Sequence, residues 1–460
     1  TGLTLPEVKC HKLGTAKVCF RNHVDEETPM IEIGVIVVGI NVFDQYLLDL
    51  DHLRTWIKEN KDEKRFEDDT RGLVLCVGGP TLLTNAYVTI SALRTLGCRL
   101  PIEIFHLGQE EISSIAKSIL LQHFAGDLGE ISFHDALEME YPEGHETFHL
   151  GAKPVSADTL QGYMLKGFAL LQSKFRHVML FDADSGPIVN PTFLFDTPEY
   201  IRHGSMFWQD FWSGWVKDEF YGVLNITKPG NMVRDIEAGQ FLMNKYRHWD
   251  VVLVTWFLNC HSEVTYLYQH GDKDTYPQAF DLLGKLNDFF VVPHAPRAAF
   301  MEADPPDGSL RLVGMLQPSL DGKESAFIHR TSTGKYQPYV DPTPIDWATE
   351  PGLLTVEYNR KYLVDQAGPL TLGLKMKWIP PGMLDRPSKI LQWHQRIALS
   401  AYQSFRLMLL SFEKVIPKGM KKAKLKTLKC PGTKSGDFGW EKFDRACYKK
   451  VVVDYPNDMA

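Results

Sequence analysis

His177-Val178-Met179-Leu180-Phe181-Asp182-Ala183-Asp184-Ser185-Gly186-Pro187 is the stretch that decides the reading of this chain. The apolar run before Asp182 reads as a buried strand. Ser185-Gly186-Pro187 reads as the break that ends it. Two carboxylates two residues apart then stand at the carboxyl end of a strand, where open α/β sheets bind their ligands. Hard oxygen ligands in that arrangement suit Mg²⁺ or Mn²⁺ bridging a diphosphate. Two solvated aspartates in a strand-end loop are the alternative, so the surroundings decide.

Those surroundings alternate between strand and helix patterns. Leu73 to Val77 reads as a strand closed by Gly78-Gly79-Pro80, and Thr84 to Leu96 as a helix with Ala86, Ile90 and Leu93 on one face. Ile102 to Phe105 is a second strand, Ile112 to Phe124 a helix and Ile131 to Phe133 a third strand. Asp158 to Ser173 reads as the helix leading into the Asp182 strand. Short loops between such elements imply a largely parallel sheet covered on both faces. Beyond the two aspartates, Ala238 to Asn244 reads as a strand and Tyr246 to Asn259 as a helix. Ile390 to Lys414 has the pattern of one amphipathic helix, and Lys418 to Lys429 is a basic stretch, read as a solvated tail or a contact with an anionic partner. Three segments follow: an N-terminal segment, 1–68, ending in mixed charge; an α/β domain, 69–345; and a C-terminal helical and basic extension, 346–460.

At 460 residues the chain is long enough for a large core. A net charge of -7 argues against a nucleic-acid binder. Ile33 to Phe43, the longest uncharged apolar run, is too short to span a bilayer and reads as core. The chain begins at Thr1 rather than Met, compatible with removal of an upstream segment such as a membrane anchor. None of the seven cysteines forms a Cys-x-x-Cys pair, which disfavours a zinc or thioredoxin-type site. Cys10 with Cys19 and Cys430 with Cys447 are disulfide candidates, whereas Cys76 and Cys98 read as buried thiols. Asn225-Ile226-Thr227 is a glycosylation sequon, compatible with a secretory location.

Several ordered motifs between Arg71 and about Arg330 resemble the fungal Golgi alpha-mannosyltransferases that branch cell-wall mannan, and more distantly the glycogenin-like retaining glycosyltransferases. They are Arg71-Gly72-Leu73-Val74-Leu75 with Gly78-Gly79; Leu93-Arg94-Thr95-Leu96-Gly97 through Glu103; Lys166 with Phe175; and Phe207-Trp208-Gln209-Asp210. Glu237-Ala238-Gly239-Gln240 with Asn244-Lys245 and His248, and Gly271-Asp272-Lys273-Asp274-Thr275-Tyr276, complete the set. Ser185-Gly186 after the Asp pair departs from the family's pattern. The resemblance implies a GT-A type α/β fold with terminal additions. It also implies transfer of mannose from GDP-mannose to a glycan hydroxyl with retention, in the Golgi lumen. A UDP-sugar-dependent transferase of the glycogenin-like kind is the alternative. A non-catalytic glycan-binding protein that kept the fold is a third reading. An Asp-based phosphohydrolase fits poorly, because Ser185-Gly186 stands where that chemistry needs Thr or Val two residues after the second Asp.

A departing nucleoside diphosphate needs its charge stabilised, which a divalent metal does as a Lewis acid and template. Asp182 and Asp184 are the carboxylate candidates for that metal. By the resemblance, a late histidine closes such a site, and His329, ending Phe327-Ile328, is the candidate. A histidine ligand points to Mn²⁺, with Mg²⁺ as the alternative. Gly78 and Gly79 let the backbone approach the nucleotide, or simply form a strand-end turn. Lys166 pairs with a donor-site acid or caps its helix. Lys273 is a candidate for neutralising the leaving phosphate or positioning an acid. Asp272 and Asp274 are candidates for binding sugar hydroxyls, and Glu237 and Asp274 for the catalytic base. Phe207, Trp208, Phe211, Trp212 and Trp215 read as core, with one exposed Trp free to stack on a sugar ring.

Overall fold

The computed structural model describes residues 8–13, 16–21, 31–60, 66–124, 129–140, 160, 162–210, 216–228, 235–302, 310–330, 335–336, 354–357, 384–385, 397–402 and 405. Two strands, β1 (Val8–Leu13) and β2 (Ala16–Arg21), form a hairpin in which Cys10 and Cys19 are register partners. Helix α1 (Ile31–Glu59) contains the apolar run Ile33 to Phe43. No described helix is long and apolar enough to cross a membrane.

The alternating pattern becomes a six-stranded sheet. Its members are β3 (Glu67–Cys76), β4 (Ile102–His106), β5 (Ile131–Asp135), β6 (Phe175–Asp182), β8 (Ser205–Gln209) and β9 (Ile236–Asn244), in the order β5-β4-β3-β6-β9-β8. The pairs β4–β5, β3–β4 and β3–β6 are parallel; β6–β9 and β8–β9 are antiparallel. This is the expected α/β architecture with a mostly parallel central sheet. The chain runs outward from β3 to β5 and then crosses back to lay β6 on the other side of β3. The strand order therefore reverses between β3 and β6, and the crevice at such a switch point is where these sheets bind ligands.

Burial explains why β6 is a continuous apolar run. Val178 and Leu180 point into one core, with Tyr46 and Leu50 of α1, Phe168 and Leu171 of α4 (Met164–Gln172) and Trp256 of α7 (Trp249–Cys260). Met179 and Phe181 point into the other, with Ala86, Ile90 and Leu93 of α2 (Gly79–Thr95) and Ile119 and Leu120 of α3 (Ser114–Phe124). A strand covered on both faces has no polar face to alternate. Each such large side chain contributes roughly 1.5–3 kcal/mol by burial. Four short helices, α5 (Pro198–His203), α6 (Asp218–Leu224), α8 (Ser262–Tyr268) and α9 (Thr275–Leu282), complete the shell among the described residues.

Two local readings change. β3 begins at Glu67 rather than Leu73, so part of the charged run is strand; a register irregularity between Glu67 and Arg71 and a positive φ of 56° at Asp69 mark the adjustment. Ser185–Pro187 is not only a break. It is a short strand, β7, at the edge of a second, antiparallel sheet with β10 (Arg297–Glu302), β11 (Leu310–Pro318), β12 (Ser325–Arg330), β13 (Leu354–Glu357) and β14 (Leu384–Asp385). Pro187 is accommodated there because β7 is an edge strand. Phe207 and Trp208 are fully buried, with Trp208 Nε1 donating to Pro318 O at 2.9 Å. Phe211, Trp212 and Trp215 lie outside the described residues, as do Cys430, Cys447 and the basic stretch. Of the expected helix at 390–414, residues 397–402 and 405 are described and helical, and Phe405 stacks on Tyr87 of α2 at 4.6 Å.

Candidate active site

Asp182 ends β6 directly opposite Cys76 of β3, the strand that leads into Gly78. The Asp pair and the Gly78-Gly79 loop thus flank the switch point. Thr89 of α2 donates to Ala183 O at 2.8 Å, and Arg330 N donates to Asp184 O at 2.9 Å, so both sides of the Asp loop are pinned. The pairing of β12 with β7 sets His329 opposite Ser185. That register carries His329 across to the aspartates.

Ligand atoms of Asp182, Asp184 and His329 all lie within 4.8 Å of one another. His329 Nε2 is 3.3 Å from Asp184 Oδ1 and 3.8 Å from Asp182 Oδ2. Its other nitrogen, Nδ1, is 3.2 Å from Glu237 Oε1. A carboxylate behind one imidazole nitrogen fixes the tautomer that offers the other as a metal ligand. Gly239 makes room for this ring: a β-carbon there would lie 2.6 Å from Nδ1. Two hard carboxylates and one oriented imidazole fit a divalent cation such as Mn²⁺. Glu237 also accepts a hydrogen bond from Gly239 N at 2.7 Å. Both contacts fall on Glu237 Oε1, beside the imidazole of His329.

Internal cations pair with these acids. Burial alone would raise Asp184, but His329 and Lys335 outweigh it and hold its carboxyl far below the usual range. Glu237 is held at about 2 in the same way, burial being outweighed by His329, Lys273 and Lys166. His329 itself is raised well above the ordinary imidazole value, burial being overcome by Glu237 and Asp184. Lys335 pairs directly with Asp184 Oδ2. Its neighbour Tyr336 is anchored to α2, donating from N to Asn85 Oδ1 at 3.1 Å and accepting from Asn85 Nδ2 at 3.0 Å. No local sequence signal marks Lys335; only its placement beside Asp184 does.

Lys166 does not cap its helix. Its ammonium lies 2.7 Å from Asp182 Oδ1 and 3.6 Å from Asp272 Oδ1, and these acids raise its pKa despite burial. Asp272 also accepts from Tyr276 OH at 3.3 Å, and burial lifts its carboxyl to about 6 although Lys166 pulls it down. Lys273 pairs with Asp210 and lies 3.9 Å from Asp235. Those two acids carried no role in the sequence reading. Asp274 precedes α9 without capping it, and its buried Oδ2 has no hydrogen-bond partner among the described residues. Burial pushes Asp274 up to about 8; Lys273 offsets this, and the carboxylates of Asp235 and Asp210 add to it.

Gly78 is the N-cap residue of α2 and brings no capping side chain, while Gly79 has φ 72°. The helix start therefore carries no capping side chain, a feature that anion-binding loops share. Lys245 and His248, by contrast, stand beyond Asn244, at the end of β9 remote from Glu237. Lys245 donates to Ser173 O at 2.5 Å and His248 faces His203 O at 2.8 Å, so both serve packing rather than the site.

Known proteins are similar to this chain over part of its length. The alpha-1,2-mannosyltransferase MNN22 of Candida albicans is 26% identical over 299 residues, 56% of this chain and 48% of that protein. The alpha-1,2-mannosyltransferase MNN2 of Saccharomyces cerevisiae is 24% identical over 255 residues, 46% of this chain and 40% of that protein. The chain thus spans about half or less of the length of these curated relatives. Among solved structures, the bifunctional glycosyltransferase WbbM is similar at 14% identity with a TM-score of 0.35, over 50% of this chain and 40% of that one. The model of the family described as "Mannosyltransferase putative" matches residues 70–235 and 228–306, more than half of the chain, and the protein belongs to that mannosyltransferase family.

Proposed function

We propose that this chain is a metal-dependent mannosyltransferase that moves mannose from GDP-mannose to a hydroxyl of a glycan acceptor with retention of configuration. It would work in the Golgi lumen. The observation that carries this reading is the Asp182–Asp184–His329 cluster at the switch point, with Glu237 behind the imidazole. Those three residues would hold Mn²⁺, which supplies Lewis-acid stabilisation of the departing diphosphate. The chain adds its own charges. Lys166 stands beside Asp182, Lys335 beside Asp184, and the start of α2 offers backbone N–H groups for anion binding. Retention then needs no strong separate base, because a departing phosphate oxygen is itself able to take the acceptor proton. Asp272 and Asp274 are candidates for holding sugar hydroxyls, and the raised carboxyl of Asp274 suits it to donate as well as accept.

The test is transfer of mannose from GDP-mannose to an α-mannoside in Mn²⁺, with and without a chelator, beside the same assay with UDP-sugars. Metal-dependent mannosyl product is expected. Folded protein that transfers no sugar from any donor would leave the glycan-binding reading in its place.

A further inference from the structure

The turn after β4 carries a carboxylate set beside the Gly78 loop. Glu111 Oε2 accepts a hydrogen bond from Leu107 N at 2.8 Å. Its other oxygen faces Gly78: a β-carbon there would lie 2.9 Å from Oε1. Oε1 has no hydrogen bond or ion pair among the described residues. The turn itself is fixed. Gly108 N donates to Asp135 Oδ1 at 2.9 Å, His106 Nδ1 faces Gly108 O at 3.0 Å, and Ile112 is fully buried. Glu111 is half-buried, so its carboxylate is partly desolvated while one oxygen stays available.

The sheet order gives the distance. β6 ends at Asp182, β3 lies next to it and leads to Gly78, and β4 lies beyond and leads to Glu111. Neighbouring strands are about 4.8 Å apart, so the ends of β4 and β6 lie on the order of 10 Å apart, and Glu111 reaches back from β4 to Gly78. That is the span between the diphosphate and the base of one nucleotide.

We propose that Glu111 reads the base of the nucleotide donor, its Oε1 accepting from the N1–H and N2 amino donors of guanine across the Gly78 loop. The inference rests on the nucleotide-sugar reading above. A carboxylate only accepts, and guanine presents two adjacent donors on one edge, whereas uracil presents one. A site built around such a pair penalises a ligand that leaves it unmatched. Gly78 lets the carboxylate lie close against the loop, because a β-carbon there would strike Oε1.

Calorimetric titration of GDP, inosine diphosphate and UDP in Mn²⁺, on the wild-type chain and on Glu111→Gln, tests this. Glutamine has the same size and its amide oxygen still accepts from Leu107 N, so the turn is retained; thermal unfolding of both proteins checks that. The variant turns an amide N–H toward guanine's donors. GDP affinity is expected to fall about tenfold or more, with UDP affinity changed by less than about threefold. Inosine diphosphate, lacking the N2 amino group, should bind the wild type more weakly than GDP, and the variant should lose that distinction. Unchanged GDP affinity overturns the inference, and so does an equal loss for GDP and UDP, which would make Glu111 a ribose or packing residue. Should the glutamine variant not fold, Glu111→Asp makes the same comparison, with the reach shortened by one methylene. A wild type that prefers UDP removes the guanine assignment and leaves the transferase reading standing. A wild type that binds none of the three removes the nucleotide-sugar reading and this inference together.

Discussion

Gly239 lies against the imidazole of His329: a β-carbon at position 239 would fall 2.6 Å from Nδ1 and 2.9 Å from Cε1. The same glycine donates its N–H to Glu237, the carboxylate that faces Nδ1. One residue on β9 therefore sets both the space for His329 and its orientation. Gly239→Ala should push the ring away from Asp184 while leaving the sheet intact. Loss of an orienting contact at a metal site typically costs about 10–100-fold in affinity. Mn²⁺ titration followed by electron paramagnetic resonance, with circular dichroism as the folding control, checks it.

Asp184→Ala should abolish transfer in a protein that still folds. The substitution removes one of the three candidate ligands and the acid that Lys335 pairs with, while His329 keeps Glu237 and Asp182 nearby. Mn²⁺-dependent stabilisation by nucleotide should vanish as well, since binding to the native state raises the melting temperature by mass action. Full activity in a folded Asp184→Ala protein would sink the metal-site reading.

Lys335→Met tests the cation paired with Asp184. If its ammonium turns to the diphosphate when Asp184 takes a metal, GDP affinity in Mn²⁺ should fall about tenfold, the loss of one charge-assisted contact. Lys335→Arg should recover part of it. Titration of GDP into the three proteins reads the effect, and equal affinities would confine Lys335 to a structural pairing.

Acid should destabilise the fold through two histidines remote from the aspartates. Burial lowers His248 to about 4, and burial lowers His177 to about 4 with Arg176 and Arg71 adding. Both imidazoles are neutral in the native state below the pH at which the unfolded chain, near 6.5, takes up protons. Their contribution is therefore complete above about pH 6.5 and is lost as pH falls toward 4, on the order of 3 kcal/mol for His248 alone. The melting temperature should drop between pH 7 and pH 4.5, and drop less in His248→Gln, whose amide can still donate to His203 O.

The sequence by itself determined the elements whose signal is local. β6 was legible because both of its faces are covered and it reads as an unbroken apolar run, and α2 because Ala86, Ile90 and Leu93 recur at helical spacing toward one core. The position of Asp182 and Asp184 at a strand end followed from the same run. Tertiary structure alone decided what each side chain faces. Ser185–Pro187 reads as a turn until β12, more than a hundred residues later, pairs with it, and that pairing is what carries His329 to the aspartates. Lys335 carries no pattern at all, and Glu237 reads as a free acid until His329 and Gly239 N engage it. Periodicity reports the contacts a segment makes with one face of a core. A site is made by side chains from distant segments meeting at one point, and the pairing register that brings them together is set by the whole fold.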